Sequence, residues 1–294
     1  MTDPVLRFRD ELVATFGQFD DRPIPDGKIH RFHVPGDRAG SRNGWYVLHL
    51  EGIAYGAFGS WKASGSQSWS SRQPADPFEA DRLRRLAERA RRQREAEQHQ
   101  RQQEAAREAQ RLWDISTPAA ADHPYLIRKG CQPHTLRQQG DVLLVPLYLD
   151  RVLVNLQRIY PDGAKRFLPG GRVTGCYSPL GRLEPGASLY ICEGWATGAT
   201  IHEHTGAAVA CAMNAGNLLE AGQRLRRAYP EVELVFAGDD DRQTEGNPGR
   251  KAANAAAIAV GGLVTFPVWP ADAPLFLSDF NDLANWWRAA HEPA

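Results

Sequence analysis

The chain is predicted to end in an α/β domain built on a parallel sheet, preceded by an α+β subdomain, a long helix and a small β-rich module. Three observations carry this. From Ser188 onward, short and nearly continuous apolar runs ("SLYICEG", "AAVACA", "VELVFAG", "LVTFPV") alternate with helical patterns, as strands buried on both faces of a parallel sheet require. Residues 77–113 are rich in Arg, Glu, Gln and Ala and contain no glycine. Before them, alternating runs are broken by Gly, Asp and Asn, the punctuation of β-hairpins.

Each element follows from its local pattern. Residues 5–17 read as a short helix, and "KIHRFHV", "GWYVLHL" and "IAYGAFGSW" as hairpin strands; "ASGSQSWSSRQPADP" reads as a linker, closing a module of residues 1–76. Asp76 and Pro77 suit the cap and first position of a helix over 77–113, which would span about 55 Å at 1.5 Å per residue. Leu83, Leu86 and Ala90 form its weak apolar stripe. It is either a solvated connector held by i,i+4 pairs or an arm contacting phosphates. In residues 114–187, "HPYLIRKG" is helical and is followed by strands "DVLLVPLYL", "VLVNLQRIY" and "KRFLPG". Residues 188–294 hold the four apolar strands, with helices over 196–205, 217–228 and 248–260 and a closing "FNDLANWWRAA".

The formal net charge is zero, but Lys plus Arg against Asp plus Glu runs 9 to 5 over residues 115–188 and 7 to 13 over 189–294. A basic middle before an acidic end suits a polyanion on one part and cations on the other. The four cysteines form no C-x-x-C pair, which argues against a zinc ribbon; Cys192 and Cys211 read as buried thiols. No leader and no apolar run of membrane-spanning length occurs, so a soluble, cytoplasmic protein without membrane contact is expected.

Two strands end in acid: "LYICEG" in Glu193, and "LVFAGDDD" in Asp239, Asp240 and Asp241. Alternation along an extended segment lets Asp239 and Asp241 point one way and Asp240 another. The aspartates are either a solvated turn or a cradle for a divalent cation such as Mg²⁺, which favours a few carboxylates plus water and phosphate oxygens. "SDFNDL" adds Asp279 and Asp282, where a second ion could sit. In "NPG", Asn247 can cap a helix whose exposed N–H groups attract phosphate. Lys251, one turn in, either assists there or is simply exposed. His30, His33, His202 and His204 lack cysteine partners and are read as structural or surface residues.

These motifs, in this order, resemble the Toprim domain of bacterial (DnaG-type) primases, type IA and II topoisomerases and some nucleases. The resemblance covers roughly residues 188–285. "HPYLIRKGCQPHTLRQQG" and "LLVPLYLDRVLVNLQRIYPDGAKRFLPGG" are similar to the primase core. "DGKIHRFHVPGDRAGSRNGWYVLHLEG", "MNAGNL" and "NPG" look like the phage and plasmid branch. The resemblance implies Glu193 as catalytic acid/base, Asp239, Asp241 and Asp279 as metal-binding residues, and Mg²⁺ or Mn²⁺ as cofactor. It also implies one basic surface of Arg158, Lys165 and Arg166 for template and nucleotide. The chain departs from the family in "EGWAT" after the Glu-Gly and in Asn281, where Asp is usual. Without a zinc ribbon, Trp45, Tyr46 and Trp61 with Arg38 and Arg42 either stack on single-stranded bases or serve as core.

The resemblance thus implies a DNA primase that joins ribonucleoside triphosphates into short RNA primers on single-stranded DNA, for mobile-element replication. The alternative is a Toprim-type metal-dependent nuclease. No G-x-x-x-x-G-K-[ST] loop occurs, so a replicative helicase is expected in trans.

Overall fold

The computed structural model describes residues 3–37, 40–60 and 66–291, the side chains of Ala90 and Arg94 excepted. It divides into two compact units, residues 1–97 and 98–294.

The first unit opens with helix α1 (Pro4–Phe16), started by Pro4 and by Asp3, whose carboxylate accepts the Val5 N–H at 2.9 Å. Strands β1 (His30–Phe32), β2 (Gly44–His49), β3 (Tyr55–Ser60) and β4 (Ser66–Ser70) form an antiparallel meander in that order. Alternate residues Phe32, Tyr46, Leu48 and Phe58 pack on Val5, Phe8 and Leu12 of α1, so one face of the meander meets one stripe of the helix. Tyr46 is 4% exposed in this core, so of its two readings the core one holds. Trp61 and Arg38 lie outside the described residues. The expected linker is corrected too, because it contains β4. That strand buries only part of Trp69, against Phe8 at 5.2 Å between ring centroids, so its sequence carries no apolar alternation.

Helix α2 (Pro77–Ile115) contains the division between the units. Asp76 accepts the Glu79 N–H at 2.7 Å and Glu79 accepts the Ala75 N–H at 2.7 Å, a reciprocal cap. Exposed i,i+4 pairs such as Gln93–Glu97 and Gln100–Glu104 line the helix, as a solvated helix requires.

In the second unit, β5 (Thr117–Pro118), α3 (Pro124–Lys129), β6 (Arg137–Gln139), β7 (Val142–Leu149), β8 (Val152–Ile159) and β9 (Lys165–Phe167) form an antiparallel sheet with α3 beside it. One face takes Ala109 and Leu112 of α2 onto Leu144, Leu153 and Leu156. The other presents Leu143, Val145, Leu147 and Ile159 to a core shared with the following domain.

That domain comprises β10 (Ser178–Leu180), β11 (Leu189–Cys192), α4 (Trp195–Thr205), β12 (Ala208–Cys211), α5 (Leu218–Ala228), β13 (Leu234–Ala237), α6 (Pro248–Val260), β14 (Leu263–Thr265) and α7 (Phe280–His291). The sheet runs β10-β12-β11-β13-β14, parallel except for β10. Leu189, Ile191, Leu234 and Phe236 pack under α5 and α6, while Cys192, Val209, Cys211 and Ala237 pack under α4. Both strand faces are buried, which explains the continuous apolar runs. The antiparallel edge β10 was not expected, because three residues with a proline in the middle and a glycine after them carry no strand signal. It joins the sheets through paired hydrogen bonds between Tyr148 and Tyr177 at 2.9 and 3.1 Å.

Candidate active site

Parallel strands β11 and β13 stand in register with Cys192 opposite Ala237, so the chain leaves both strands at one level. Glu193 and Asp239 follow at those ends, where open α/β sheets gather ligands. Glu193 Oε1 and Asp239 Oδ1 are buried and accept no hydrogen bond. Burial, then the charges of Asp241 and Asp279, pushes Glu193 up to about 7. Burial, then Glu193, Asp279, Asp241 and Asp282, pushes Asp239 up to about 9. Asp279, just before α7, is raised by burial and by Asp282, although its Oδ1 accepts the Asp282 N–H at 2.8 Å. The expected carboxylates are therefore mutually repelling neighbours.

Among the described residues no three His, Cys, Asp or Glu side chains are gathered closely enough to hold an ion by themselves. The donor set still fits a hard cation that brings part of its own shell. Two oxygens without partners in a site of like charges require neutralisation, and Mg²⁺ keeps waters and phosphate oxygens beside one or two carboxylates.

The three consecutive aspartates do three different things. Asp239 faces the unpaired cluster. Asp241 accepts the Gly249 N–H at 2.9 Å on Oδ2, and its own N–H is held by Asn247 Oδ1 at 2.9 Å. Asp240 is 6% exposed and fully engaged, with Asn247 Nδ2 at 2.7 Å, Arg250 Nε at 3.1 Å and Trp269 Nε1 at 3.2 Å. Burial alone would raise Asp240, but these donors and the Arg250 charge outweigh it and hold its carboxyl below the usual range. Asn247 caps α6 as expected, with left-handed φ of 45° and the Arg250 N–H at 3.3 Å. The N–H groups expected to attract phosphate are corrected: Asp241 and Asn247 already occupy those of Gly249 and Arg250. Lys251 is exposed.

The single basic surface also needs correction. In the antiparallel register, Arg158 stands opposite Leu144 and Arg166, whereas Lys165 stands opposite Ile159. Side chains alternate across a sheet, so Lys165 and Arg158 project from opposite faces. Lys165 goes to the carboxylate side. Although exposed as a residue, it places its ammonium 5.6 Å over the Tyr125 ring. There burial and Lys129 lower its pKa against the pull of Asp279 and Asp239. Arg158 and Arg166 lie on the α2 side, in line with Arg137 of β6 through the Arg137–Leu144 pair. Arg158 Nε and Arg137 Nε are buried without acceptors. Arg137 was missed because its three-residue strand has no apolar pattern.

Lys129 and Asn281 were not placed in advance either. Lys129 Nζ lies 3.5 Å from Asp282 Oδ1. Asn281 does not face the carboxylates; it is 1% exposed and donates to Lys129 O at 2.7 Å and Thr200 Oγ1 at 2.9 Å. Its departure from Asp locks α7 onto α3 and α4. Of the histidines, His30 pairs with Asp26 at 2.8 Å, and His202 and His204 bond backbone carbonyls. All four cysteines are free and buried.

Residues 188–286 match the family model of the Toprim domain, and the α/β fold class read from the sequence holds there. The chain is similar to two Escherichia coli proteins, each a DNA primase TraC. One is 38% identical over 266 residues, covering 85% of this chain and 25% of that protein. The other is 34% identical over 283 residues, covering 88% and 19%. The chain thus spans a quarter or less of the length of the curated relatives it matches. A solved complex of bacteriophage T7 lagging-strand DNA polymerase with primase domains is a looser match. It has a TM-score of 0.35 and 13% identity, covering 56% of this chain and 80% of that one. Among the described residues no helix is long and apolar enough to cross a membrane.

Proposed function

We propose that the chain is the catalytic part of a DNA primase, joining ribonucleoside triphosphates into short RNA primers on single-stranded DNA for phage or plasmid replication. One observation carries the reading. The similarity to primase TraC spans 85% of the chain, far beyond the Toprim residues 188–286 that primases, topoisomerases and nucleases share. A match of that breadth must take in chain that precedes the Toprim residues.

In this reading Asp239, Asp241 and Asp279 hold Mg²⁺ or Mn²⁺, which when bound would neutralise phosphate charge and favour attack by a 3′-hydroxyl. Glu193, with a pKa near 7, is matched to accepting and returning a proton at neutral pH. Lys165, on the carboxylate side, orients the triphosphate. Arg158, Arg166 and Arg137, on the opposite face, hold a strand by its phosphates. The protein works in the cytoplasm with a replicative helicase supplied in trans.

The test is incubation of the chain with single-stranded DNA, Mg²⁺ or Mn²⁺ and labelled ribonucleotides, with products sized on a gel. New short oligonucleotides support the reading. Shortened template without new product overturns it in favour of a nuclease.

A further inference from the structure

We propose that Asp240 is a positioning residue for cation binding, and that it acts by holding Arg250 away from Asp239 and Asp241. The inference rests on the cation-cradle reading above and adds to it a role for the one aspartate that faces away from the cradle.

The geometry sets up a competition. Helix α6 starts against the cradle: an added Cβ at Gly249 would lie 2.8 Å from Asp239 O and 2.9 Å from Asp241 Oδ2. A side chain there is excluded, and the next residue, Arg250, brings a guanidinium to the same turn. A guanidinium pairs strongly with carboxylates, often through two parallel hydrogen bonds. Asp239 Oδ1 is buried and unpaired, so it is an available partner. Arg250 nevertheless goes to Asp240, 3.1 Å from Nε to Oδ1, and lies 4.0 Å over the Phe266 ring.

Asp240 is held in turn by Asn247 and Trp269, and its N–H bonds Ser278 O at 2.7 Å. Its carboxylate therefore has one orientation, with the counter-ion for Arg250 aimed outward. Arg242 is retained elsewhere by Pro274 O at 2.7 Å and by the Trp269 ring at 4.4 Å. Without Asp240, Arg250 has lost its counter-ion one residue from Gly249, which abuts Asp239 and Asp241, and competes with the divalent ion for them.

The test measures Mn²⁺ affinity of the whole chain from the resonance of free Mn²⁺, with thermal stability recorded beside it. Asp240→Ala is expected to weaken Mn²⁺ binding roughly 10- to 100-fold, as loss of a ligand-orienting partner does. Asp240→Ala combined with Arg250→Ala is expected to recover most of that affinity while remaining as destabilised as the single variant. A purely structural role for Asp240 predicts no recovery. If Asp240→Ala does not fold, Asp240→Asn, which keeps the shape and loses the ion pair, is read in its place with and without Arg250→Ala. Unchanged affinity in the single variant, or no recovery in the double, overturns the positioning role alone. Parental affinity in Asp239→Asn would remove the cradle itself, and this inference with it.

Discussion

Carboxylates in the first unit and carboxylates at the strand ends of the second live under opposite rules. In the first, Asp3 caps α1 and pairs with Arg22, and Asp26 bonds His30 and the Lys28 N–H. Against the upward effect of burial, those bonds hold Asp26 below its usual pKa. In the second, Glu193 and Asp239 each keep a buried oxygen without a donor, and burial pushes both pKa values up. The first arrangement stabilises a fold. The second costs stability, and such a cost persists at sites that bind or react.

The largest expected effect is at Glu193. Glu193→Gln keeps the shape and, under the proposed function, removes the proton acceptor, so primer synthesis should fall by about 10²- to 10⁴-fold with single-stranded DNA affinity unchanged. Matching losses in binding and turnover would make Glu193 a structural residue.

Asp239→Asn sharpens the contrast in stability. A carboxyl held near 9 in the folded chain keeps its proton where the unfolded chain, titrating near 4, has lost it. The folded state then binds more protons, so cation-free stability should fall as pH rises from about 4 to about 9. Asp239→Asn should remove much of that slope and raise stability at pH 8, on the order of 1–3 kcal/mol. Asp26 has the opposite sign: its depressed pKa adds stability above the unfolded value, lost as pH falls through the folded one. Asp26→Asn should cost less than about 1 kcal/mol, as exposed pairs do. Thermal melts across pH read both, and a stabilising Asp26→Asn would break the comparison.

Smaller still is the division between the faces of the basic sheet. Under the proposed function, Arg158→Ala with Arg166→Ala removes two phosphate contacts, each contributing about 0.7 to the salt slope on single strands. The log–log slope should become shallower by about 1.4, with the nucleotide KM unmoved. Lys165→Ala should do the reverse, raising KM with little change in slope. Equal effects would mean that the two faces share one ligand.

How much of this was legible in the sequence depended on whether it was local. Glu193 and Asp239 were legible because an apolar run ending in acid marks a strand end, and the β11–β13 register places both at one level. The Asn247 cap was legible for the same local reason. The faces taken by Arg158 and Lys165 were not. They are set by pairing across β7, β8 and β9, with a register shift between Leu147 and Tyr148. Asp240 could be assigned away from the cradle by alternation, but its partners Arg250 and Trp269 come from other elements. Strands β4 and β10 were illegible because neither carries an apolar face of its own.

If these strand-end carboxylates wait for a cation, calorimetric titration of Mg²⁺ or Mn²⁺ into the chain at pH 7.5 shows it most directly. Run in buffers of different ionisation enthalpy, it reads protons exchanged on binding. With Asp239 near 9 and Glu193 near 7, cation binding should displace on the order of one proton per chain, and Asp239→Asn should abolish both the release and most of the affinity. Binding heats that do not depend on the buffer, or parental affinity in Asp239→Asn, would contradict the account.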